Sequence, residues 1–323
     1  MRTSTQLLPK ALLLCIGGVL AFFGAEIGLR GYFSLIQNYD IEMWRYAKLL
    51  KMSVNDARSH VHIPNSSARI MGAEVNINSH GLRDREYGYE KPAGVTRILL
   101  VGDSLTFGFG VPKEDIFAKI IERKLNETGT GTYEVINGGV GNYNTEQELA
   151  FFTTEGIKYH PDLVILGWYI NDAEPTQKYP ETFLAQYSIA YVFVESMFNR
   201  FRALTESDRN YDDYYRALYS PEGWAAYQKK LVAFNNAVIK SGARLSVVLL
   251  PELHVLSPYP FADIHANVAS LFTQNGVQVL DTVSAFKDVI PSDMWVARDD
   301  VHPNSRAHAI IADRMLEYLH LKP

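Results

Sequence analysis

The chain has 323 residues, of which 47% are hydrophobic and 21% are charged, a composition typical of a globular protein with a full core. Its net charge of -5 argues against a nucleic-acid-binding protein, which would carry a basic surface. Cys15 is the only cysteine, so no intrachain disulfide can form. The length leaves room for one large domain plus accessory segments.

The N-terminal segment is apolar enough to enter a membrane. Arg2 and Lys10 precede an uncharged run from Ala11 to Ala25, which Ile27-Gly28-Leu29 extends. Since about 17 to 25 residues cross a bilayer, we expect an uncleaved anchor within residues 1–35. A cleaved signal peptide is the alternative, although no Ala-x-Ala site is present. Basic residues on both sides set the orientation only weakly, and we expect the large C-terminal part in the periplasm.

The region that follows, residues 36–94, leads into the main domain. Residues 31–53 mix aromatic side chains with both charges and predict a membrane-proximal helix. Residues 60–93 are rich in Asn, Ser, Gly and Pro and predict loops, with a short ribbon at Ile70–Ile77.

From Thr96 onward the sequence alternates short aliphatic runs with stretches of helical period, the last of which extends to Leu319. The aliphatic runs predict strands at 97–101, 133–136, 163–167, 245–250 and 277–280. Such alternation indicates a parallel sheet with helices on both faces. The main domain is therefore expected to be α/β and to occupy residues 95–323.

One long segment, residues 173–220, interrupts the alternation and is rich in Tyr and Phe. A connection of this length is commonly a lid or a binding element. The alternative is a helical hairpin packed on the flank of the domain. The sequence leaves both interpretations open.

Two short motifs carry residues typical of nucleophilic catalysis. Gly102-Asp103-Ser104-Leu105 follows the first aliphatic run and places a serine hydroxyl at a strand end, where open α/β sheets bind ligands. Asp299-Asp300-Val301-His302-Pro303 precedes the last helix. A serine, a histidine and an aspartate can supply a nucleophile, a base and the group that orients the base. Taken singly, each motif also fits a turn or a helix start.

Two further segments end strands with potential hydrogen-bond donors. Val135–Thr145 is a glycine-rich loop whose backbone N–H groups could bind an anion, or which could simply cap the next helix through Asn144 or Thr145. Val164–Asp172 closes the third strand with Asn171, which could also serve only to terminate that strand.

In this order and spacing the four segments resemble the motifs of the SGNH, or GDSL-like, hydrolase family over roughly residues 95–320. The resemblance implies a three-layer α/β/α fold around a five-stranded, flavodoxin-like parallel sheet. It also implies that Ser104 is the nucleophile, that His302 is the base, and that Asp299, three residues before the histidine, orients it. Asp300 is the adjacent competitor that this spacing disfavours.

The resemblance further implies an oxyanion hole formed by the N–H of Ser104, the N–H of Gly141 or Asn142, and the side-chain amide of Asn171. Two departures from the family pattern concern this hole. Asn142 stands where the family often has glycine, and Gly167 lies further from Asn171 than usual. Neither departure involves the nucleophile or the base.

The sequence therefore predicts a serine esterase that acts on an ester, with acylated glycans and lipids among the candidate substrates. An acyltransferase that acts on an exported polysaccharide and an inactive binding module are the alternatives. No cofactor is expected. A metal site built from Asp299, Asp300, His302 and His254 is disfavoured because no typical zinc-ligand spacing occurs. The segment from Gly102 to Gly108 also lacks the glycine pattern of a dinucleotide-binding turn.

Overall fold

The computed structural model describes residues 7–127, 129, 131–177, 182–205 and 211–318. These residues form two compact units. The first unit comprises the described parts of Met1–Arg45 and Pro180–Ser207, and the second comprises those of Tyr46–Tyr179 and Asp208–Pro323. Leu319, expected in the last helix, lies outside the described residues.

Among the described residues, two helices and four short strands precede the region in which longer strands alternate with helices. In chain order the elements are α1 (Leu7–Leu35), α2 (Tyr39–Leu50), β1 (Lys51–Ser53), β2 (His60–His62), β3 (Ser67–Ile70), β4 (Ala73–Asn76), β5 (Val95–Gly102), α3 (Ser104–Phe107), α4 (Phe117–Glu127), β6 (Thr132–Gly139), α5 (Thr145–Thr154), β7 (Leu163–Trp168), α6 (Phe183–Tyr187), α7 (Ile189–Thr205), α8 (Tyr211–Leu218), α9 (Pro221–Lys240), β8 (Arg244–Leu249), α10 (Ala262–Gln274), β9 (Gln278–Asp281), β10 (Trp295–Ala297), β11 (Asp300–Pro303) and α11 (Ser305–Tyr318). Short 3-10 turns connect several of them.

The central sheet has five parallel strands in the order β6-β5-β7-β8-β9. This confirms the flavodoxin-like α/β fold, and each predicted aliphatic run forms one of these strands. The chain moves from β5 to β6 in one direction and then back past β5 to β7. Because such crossovers are right-handed, α4 and α5 lie on opposite faces of the sheet. The reversal creates a crevice at the carboxyl end of β5, directly before Ser104.

Three glycines allow the α3 turn to lie close over the strand ends. Gly102, Gly139 and Gly167 end or nearly end β5, β6 and β7 and are paired in register. A Cβ on Gly102 or Gly167 would lie 2.2 Å or 2.5 Å from the hydroxyl oxygen of Thr106. A Cβ on Gly139 would lie 2.2 Å from the backbone nitrogen of Phe107. Neighbouring strands thus lack side chains where the turn carrying Ser104 packs.

The region before the sheet contains two antiparallel ribbons. β1 pairs with β2, and β3 pairs with β4 through a turn at Met71 and Gly72 that has positive φ angles of 47° and 79°, as two-residue hairpin turns require. The ribbon expected at residues 70–77 is present. The helix predicted over residues 31–53 is instead broken, because Asn38 accepts a hydrogen bond from the Ile41 N–H and begins α2.

The first unit contains the apolar N-terminal helix. One helix in the described part of the chain, Lys10–Leu35, is long and apolar enough to be a membrane anchor or a signal sequence. Near its end, Glu26 accepts hydrogen bonds from the N–H groups of Ile189 and Ala190 at the start of α7. The aromatic-rich segment 173–220 contains α6 and α7, which belong to the first unit, and α8, which belongs to the second. Its described residues 174–177 are not helical.

We predict that Gly139→Ala destabilises the protein by about 1–3 kcal/mol, because its methyl group would meet the backbone of α3, which cannot rotate away. Gly88→Ala is the matched control, since a Cβ there has only the Glu90 carbonyl oxygen near it, at 3.9 Å. Chemical denaturation measures both changes. Equal midpoints for the two variants would contradict the close approach of α3 to β6.

Candidate active site

The turn that carries Ser104 is fixed at both ends. Asp103 caps its start, accepting a hydrogen bond from the Leu105 N–H at 2.8 Å. Gly108 ends it in the left-handed conformation, which favours glycine. The buried Arg83 donates to the carbonyl oxygen of Gly108 at 2.5 Å and to that of Val111 at 2.6 Å. Ser104 is consequently held at the strand end with only 6% of its surface exposed.

The structure brings Ser104 and His302 together although 198 positions separate them in the chain. The Ser104 Oγ and the His302 Nε2 are 2.8 Å apart. His302 lies on β11, which pairs with β10 in a two-stranded ribbon. The ring of Phe109 packs on the imidazole, with centroids 4.9 Å apart. The pairing expected from the two motifs is therefore present in the structure.

The carboxylate that contacts the histidine is that of Asp300, not that of Asp299 as expected from the motif spacing. The His302 Nδ1 lies 2.5 Å from the Asp300 Oδ1, and the His302 N–H also donates to this oxygen. Both residues belong to an extended strand, where positions i and i+2 point to the same face. Asp300 is 1% exposed, whereas Asp299 is exposed in the turn between β10 and β11. We therefore propose Asp300, rather than Asp299, as the residue that orients His302.

These contacts define the tautomer of the histidine. A carboxylate oxygen can only accept, so the His302 Nδ1 carries the proton and donates it to Asp300. The His302 Nε2 is then the acceptor, and the Ser104 hydroxyl donates to it. This is the arrangement in which an imidazole can remove the proton of a serine.

The N–H of Gly141, one of the two alternative loop donors, already has a hydrogen-bond partner. That N–H donates to the Tyr46 hydroxyl at 2.9 Å. The next residue, Asn142, has a left-handed φ of 66°, and its N–H donates no hydrogen bond within the described residues. The N–H of Ser104 is the first of α3 and has no partner inside the helix. Asn142 and Ser104 thus remain candidates for backbone donors.

Asn171 lies in the helical turn Ile170–Ala173 that follows β7. Its side-chain nitrogen donates to the Asp103 carboxylate at 3.2 Å, which leaves one amide hydrogen for another acceptor. Asn171 and Asn142 line the same small pocket, together with Glu174 and Gln177. The pocket therefore joins two of the three expected oxyanion donors in a polar setting.

Motif spacing disfavoured Asp300, and no motif pointed to Tyr46, to the ribbon β1–β2 or to Glu174. Asp300 could have been found from strand geometry, since a carboxylate two residues before the histidine shares its face of an extended chain. Tyr46 and the ribbon β1–β2 approach the Gly141 loop from a region that carries no recognisable motif. Glu174 was also not singled out. Only folding brings it to the pocket.

A model of the GDSL-like lipase/acylhydrolase family matches residues 100–310, which is more than half of the chain. The chain belongs to this family. Membership makes it an SGNH/GDSL-type esterase, as expected from the sequence. The matched range includes Ser104, Asn142, Asn171 and His302.

The chain is similar to several solved structures, of which the first named here supports the same fold. The lipase Lip_vut3 from a goat rumen metagenome has a TM-score of 0.50 at 16% identity, with 70% of this chain and 100% of the lipase covered. TesA has a TM-score of 0.46 at 16% identity, with 69% and 98% covered. A catalytic mutant of the acetylxylan esterase Axe2 from Geobacillus stearothermophilus has a TM-score of 0.45 at 16% identity, with 69% and 94% covered. No curated protein matches the chain.

A group of buried acids includes Asp103, the residue before Ser104. Asp103, Glu148 and Asp172 are all almost fully buried, and burial raises the pKa of each. Neither carboxyl oxygen of Glu148 has a hydrogen-bond partner within the described residues. Burial also raises the pKa of Glu174. Because burial and the neighbouring acids both disfavour negative charge, this part of the interior favours protonated, neutral carboxyl groups.

His254, which follows the fourth strand of the sheet, forms a separate pair. Its Nδ1 contacts the buried Glu252 carboxylate, and this hydrogen bond raises the pKa of the His254 imidazole. The ring packs between those of Tyr211 and Trp295. Within the described ranges, no three His, Cys, Asp or Glu side chains are placed to hold a metal ion.

We predict that Glu148→Gln stabilises the acylhydrolase, and increasingly so as the pH rises above about 4.5. The raised pKa of Glu148 means that its folded form retains a proton that the unfolded chain releases, so wild-type stability falls as the pH rises. Glutamine does not titrate, so the variant lacks this decrease in the free energy of unfolding. For one proton the decrease is at most about 1.4 kcal/mol per pH unit. Denaturant unfolding at about pH 5 and about pH 8 measures the difference.

Glu146→Gln is the matched control for this experiment. It lies on the same helix but is exposed and pairs with Lys230 at the surface, so its effect stays within about 0.5 kcal/mol. A gain for Glu148→Gln that does not grow with pH would contradict the buried-acid account.

We also predict that Asp300→Asn lowers kcat by about 10³–10⁴-fold, because an amide no longer selects the imidazole tautomer that accepts from serine. Asp299→Asn changes kcat by less than about tenfold, since that side chain is exposed in the turn. Steady-state ester hydrolysis by the two purified variants measures both values. A large loss in Asp299→Asn with normal turnover in Asp300→Asn would restore the motif-based assignment.

Proposed function

We propose that the chain is a serine esterase that hydrolyses an ester of a short acyl group through an acyl-serine intermediate. One observation carries this proposal, namely the series of two hydrogen bonds that links Asp300, His302 and Ser104 at 2.5 Å and 2.8 Å. A serine hydroxyl is a weak nucleophile by itself, and an imidazole held by a carboxylate is the group that activates it.

The first half of the reaction forms the acyl-enzyme. The His302 Nε2 takes the hydroxyl proton as the Ser104 Oγ attacks the ester carbonyl carbon, which gives a tetrahedral intermediate. The imidazolium then gives this proton to the alkoxy oxygen, the carbon–oxygen bond breaks, and an alcohol leaves. Asp300 stabilises the imidazolium through Nδ1.

The second half releases the acid. His302 takes a proton from a water molecule that attacks the acyl-serine carbonyl, and it returns this proton to the Ser104 Oγ as the bond to the acyl group breaks. The negative oxygen of both intermediates is stabilised by the N–H groups of Ser104 and Asn142 and by the Asn171 amide. Each such donor typically contributes about 10²–10³ in rate.

The residues beside the oxyanion donors favour a small, polar substrate. The pocket that Asn142 and Asn171 share is lined by Asn144, Glu174 and Gln177 and holds no aliphatic side chain other than Pro175. A long alkyl chain would desolvate these polar groups without giving them hydrogen bonds. We therefore favour a short acyl ester, such as an O-acetyl group on a glycan, over a long-chain lipid.

The apolar helix Lys10–Leu35 supports a location at the membrane. We propose that it anchors the enzyme and that the catalytic residues lie on the periplasmic side. Esters carried by exported glycans would then be within reach of Ser104.

Ser104→Ala is expected to lower the hydrolysis of p-nitrophenyl acetate by at least about 10³-fold, because it removes the nucleophile and leaves the fold intact. Wild-type enzyme should hydrolyse the acetate ester with a higher kcat/KM than the butyrate or a longer ester. Release of p-nitrophenol by both proteins measures the two effects. Equal rates in wild type and Ser104→Ala would refute the proposal.

The fate of the acyl group separates a hydrolase from an acyltransferase. With an isotopically labelled acetyl donor and an oligosaccharide acceptor, the proposal predicts free acetate as the main product. Preferential appearance of the label on sugar hydroxyls would assign the same acyl-serine chemistry to a transferase.

A further inference from the structure

We propose that Lys51 and His60, on the ribbon β1–β2, hold the peptide between Gly141 and Asn142 so that the Asn142 N–H faces the oxyanion. Lys51 would thereby be a positioning residue for catalysis. The inference rests on the proposed esterase function, and it assigns a role to a region that precedes the residues matched by the family.

The Gly141 carbonyl oxygen is bound by two buried side chains. The Lys51 Nζ donates to it at 2.5 Å, and the His60 Nε2 lies 3.1 Å from it. Lys51 and His60 are each only 4% exposed. Both residues come from paired strands, since Lys51 pairs with His62 in the antiparallel ribbon.

The orientation of the Asn142 N–H follows from the planarity of the peptide. The Gly141 carbonyl and the Asn142 N–H belong to the same trans peptide and point in opposite directions. Holding the carbonyl oxygen against Lys51 and His60 therefore directs the N–H away from the ribbon. If this peptide rotated by half a turn, a carbonyl oxygen would replace the N–H donor and would repel an oxyanion.

A second contact stabilises the unusual backbone of Asn142. Its φ of 66° is a left-handed conformation, which asparagine adopts more readily than most residues. The Lys51 Nζ also donates to its side-chain Oδ1 at 2.8 Å. One amino group thus donates to both the carbonyl before Asn142 and the side chain of Asn142 itself.

The preceding peptide is fixed by a series of hydrogen bonds. The His62 Nδ1 faces the Gly81 carbonyl oxygen at 2.9 Å, so it carries the proton, and the His62 Nε2 accepts from the Tyr46 hydroxyl at 2.7 Å. That hydroxyl accepts the Gly141 N–H at 2.9 Å. Burial lowers the pKa of His62 to about 3, which keeps the imidazole neutral as this series requires.

Gly141 cannot carry a side chain at this point. A Cβ there would lie 2.6 Å from the ring of Tyr46. Tyr46 thus contacts the loop closely enough to exclude any larger residue at this position. Together the contacts hold two successive peptides from one side and leave the opposite side of the loop to the substrate.

The test compares Lys51→Met with Ser104→Ala and with Lys91→Met, which removes a lysine that pairs with Asp162 on the same unit. We expect Lys51→Met to lower kcat by about 10- to 100-fold, less than the loss of a direct donor, with KM changed by less than about twofold. The affinity for a tetrahedral boronate inhibitor should fall by the same factor as kcat. Lys91→Met should leave all three values unchanged.

The outcomes separate this inference from the proposed function. An active Ser104→Ala overturns both, because no acyl-serine would then need an oxyanion hole. With Ser104→Ala inactive, a Lys51→Met variant of normal kcat and inhibitor affinity overturns the role of Lys51 alone. A parallel change in KM and melting temperature without a loss in kcat would also overturn it, since that pattern describes a purely structural lysine.

His60→Phe decides the matter if Lys51→Met does not fold. Phenylalanine keeps the ring that packs on Tyr143, whose centroid lies 5.1 Å away, but it cannot donate to Gly141. We expect a smaller fall in kcat, of about threefold to tenfold, with unchanged KM. A wild-type kcat would overturn the proposal for this carbonyl contact.

Discussion

The contact between the Ser104 hydroxyl and the His302 imidazole is the constraint on which the site depends, because it joins a turn after the first sheet strand to a ribbon near the end of the chain. The serine is placed by the crevice at the end of β5, where the sheet order reverses. The histidine is placed by β11, whose extended backbone also brings Asp300 to the same face. The Ser104 turn and β11 are far apart in sequence, so only the complete fold brings Ser104 next to His302.

Close packing at the strand ends fixes the position of the Ser104 turn on the sheet. Side-chain-free positions on three adjacent strands let α3 approach the sheet, and Arg83 binds the carbonyl oxygens at the end of the turn. On the other side of the crevice, Lys51 and His60 bind the Gly141 carbonyl. Residues from the region before the sheet thus contact both the turn that carries Ser104 and the loop that carries Asn142. The second compact unit, which contains Ser104 and His302, begins at Tyr46 and therefore includes the ribbon β1–β2.

The aliphatic runs predicted the sheet because buried parallel strands consist of short apolar runs. Runs of this length that are flanked by glycine and polar residues favour strands over helices. The motifs predicted Ser104 and His302 because reactive side chains recur at strand ends. Motif spacing favoured Asp299 over Asp300 as the orienting acid, and it left Gly141 and Asn142 open as the loop donor. The contacts distinguish the members of each pair. Asp300 lies on β11 and contacts His302, whereas Asp299 lies in the turn before this strand. The Tyr46 hydroxyl accepts the N–H of Gly141 and not that of Asn142. Sequence spacing does not specify either.

The account is tested most directly by treating the intact protein with a fluorophosphonate and locating the covalent adduct by peptide mass spectrometry. It predicts a single adduct on Ser104 in the wild type, and none at that position when His302 is replaced by alanine, because the hydroxyl then lacks its base. An adduct on a different serine, or equal labelling of Ser104 without the imidazole, would contradict the claim that these two residues act together.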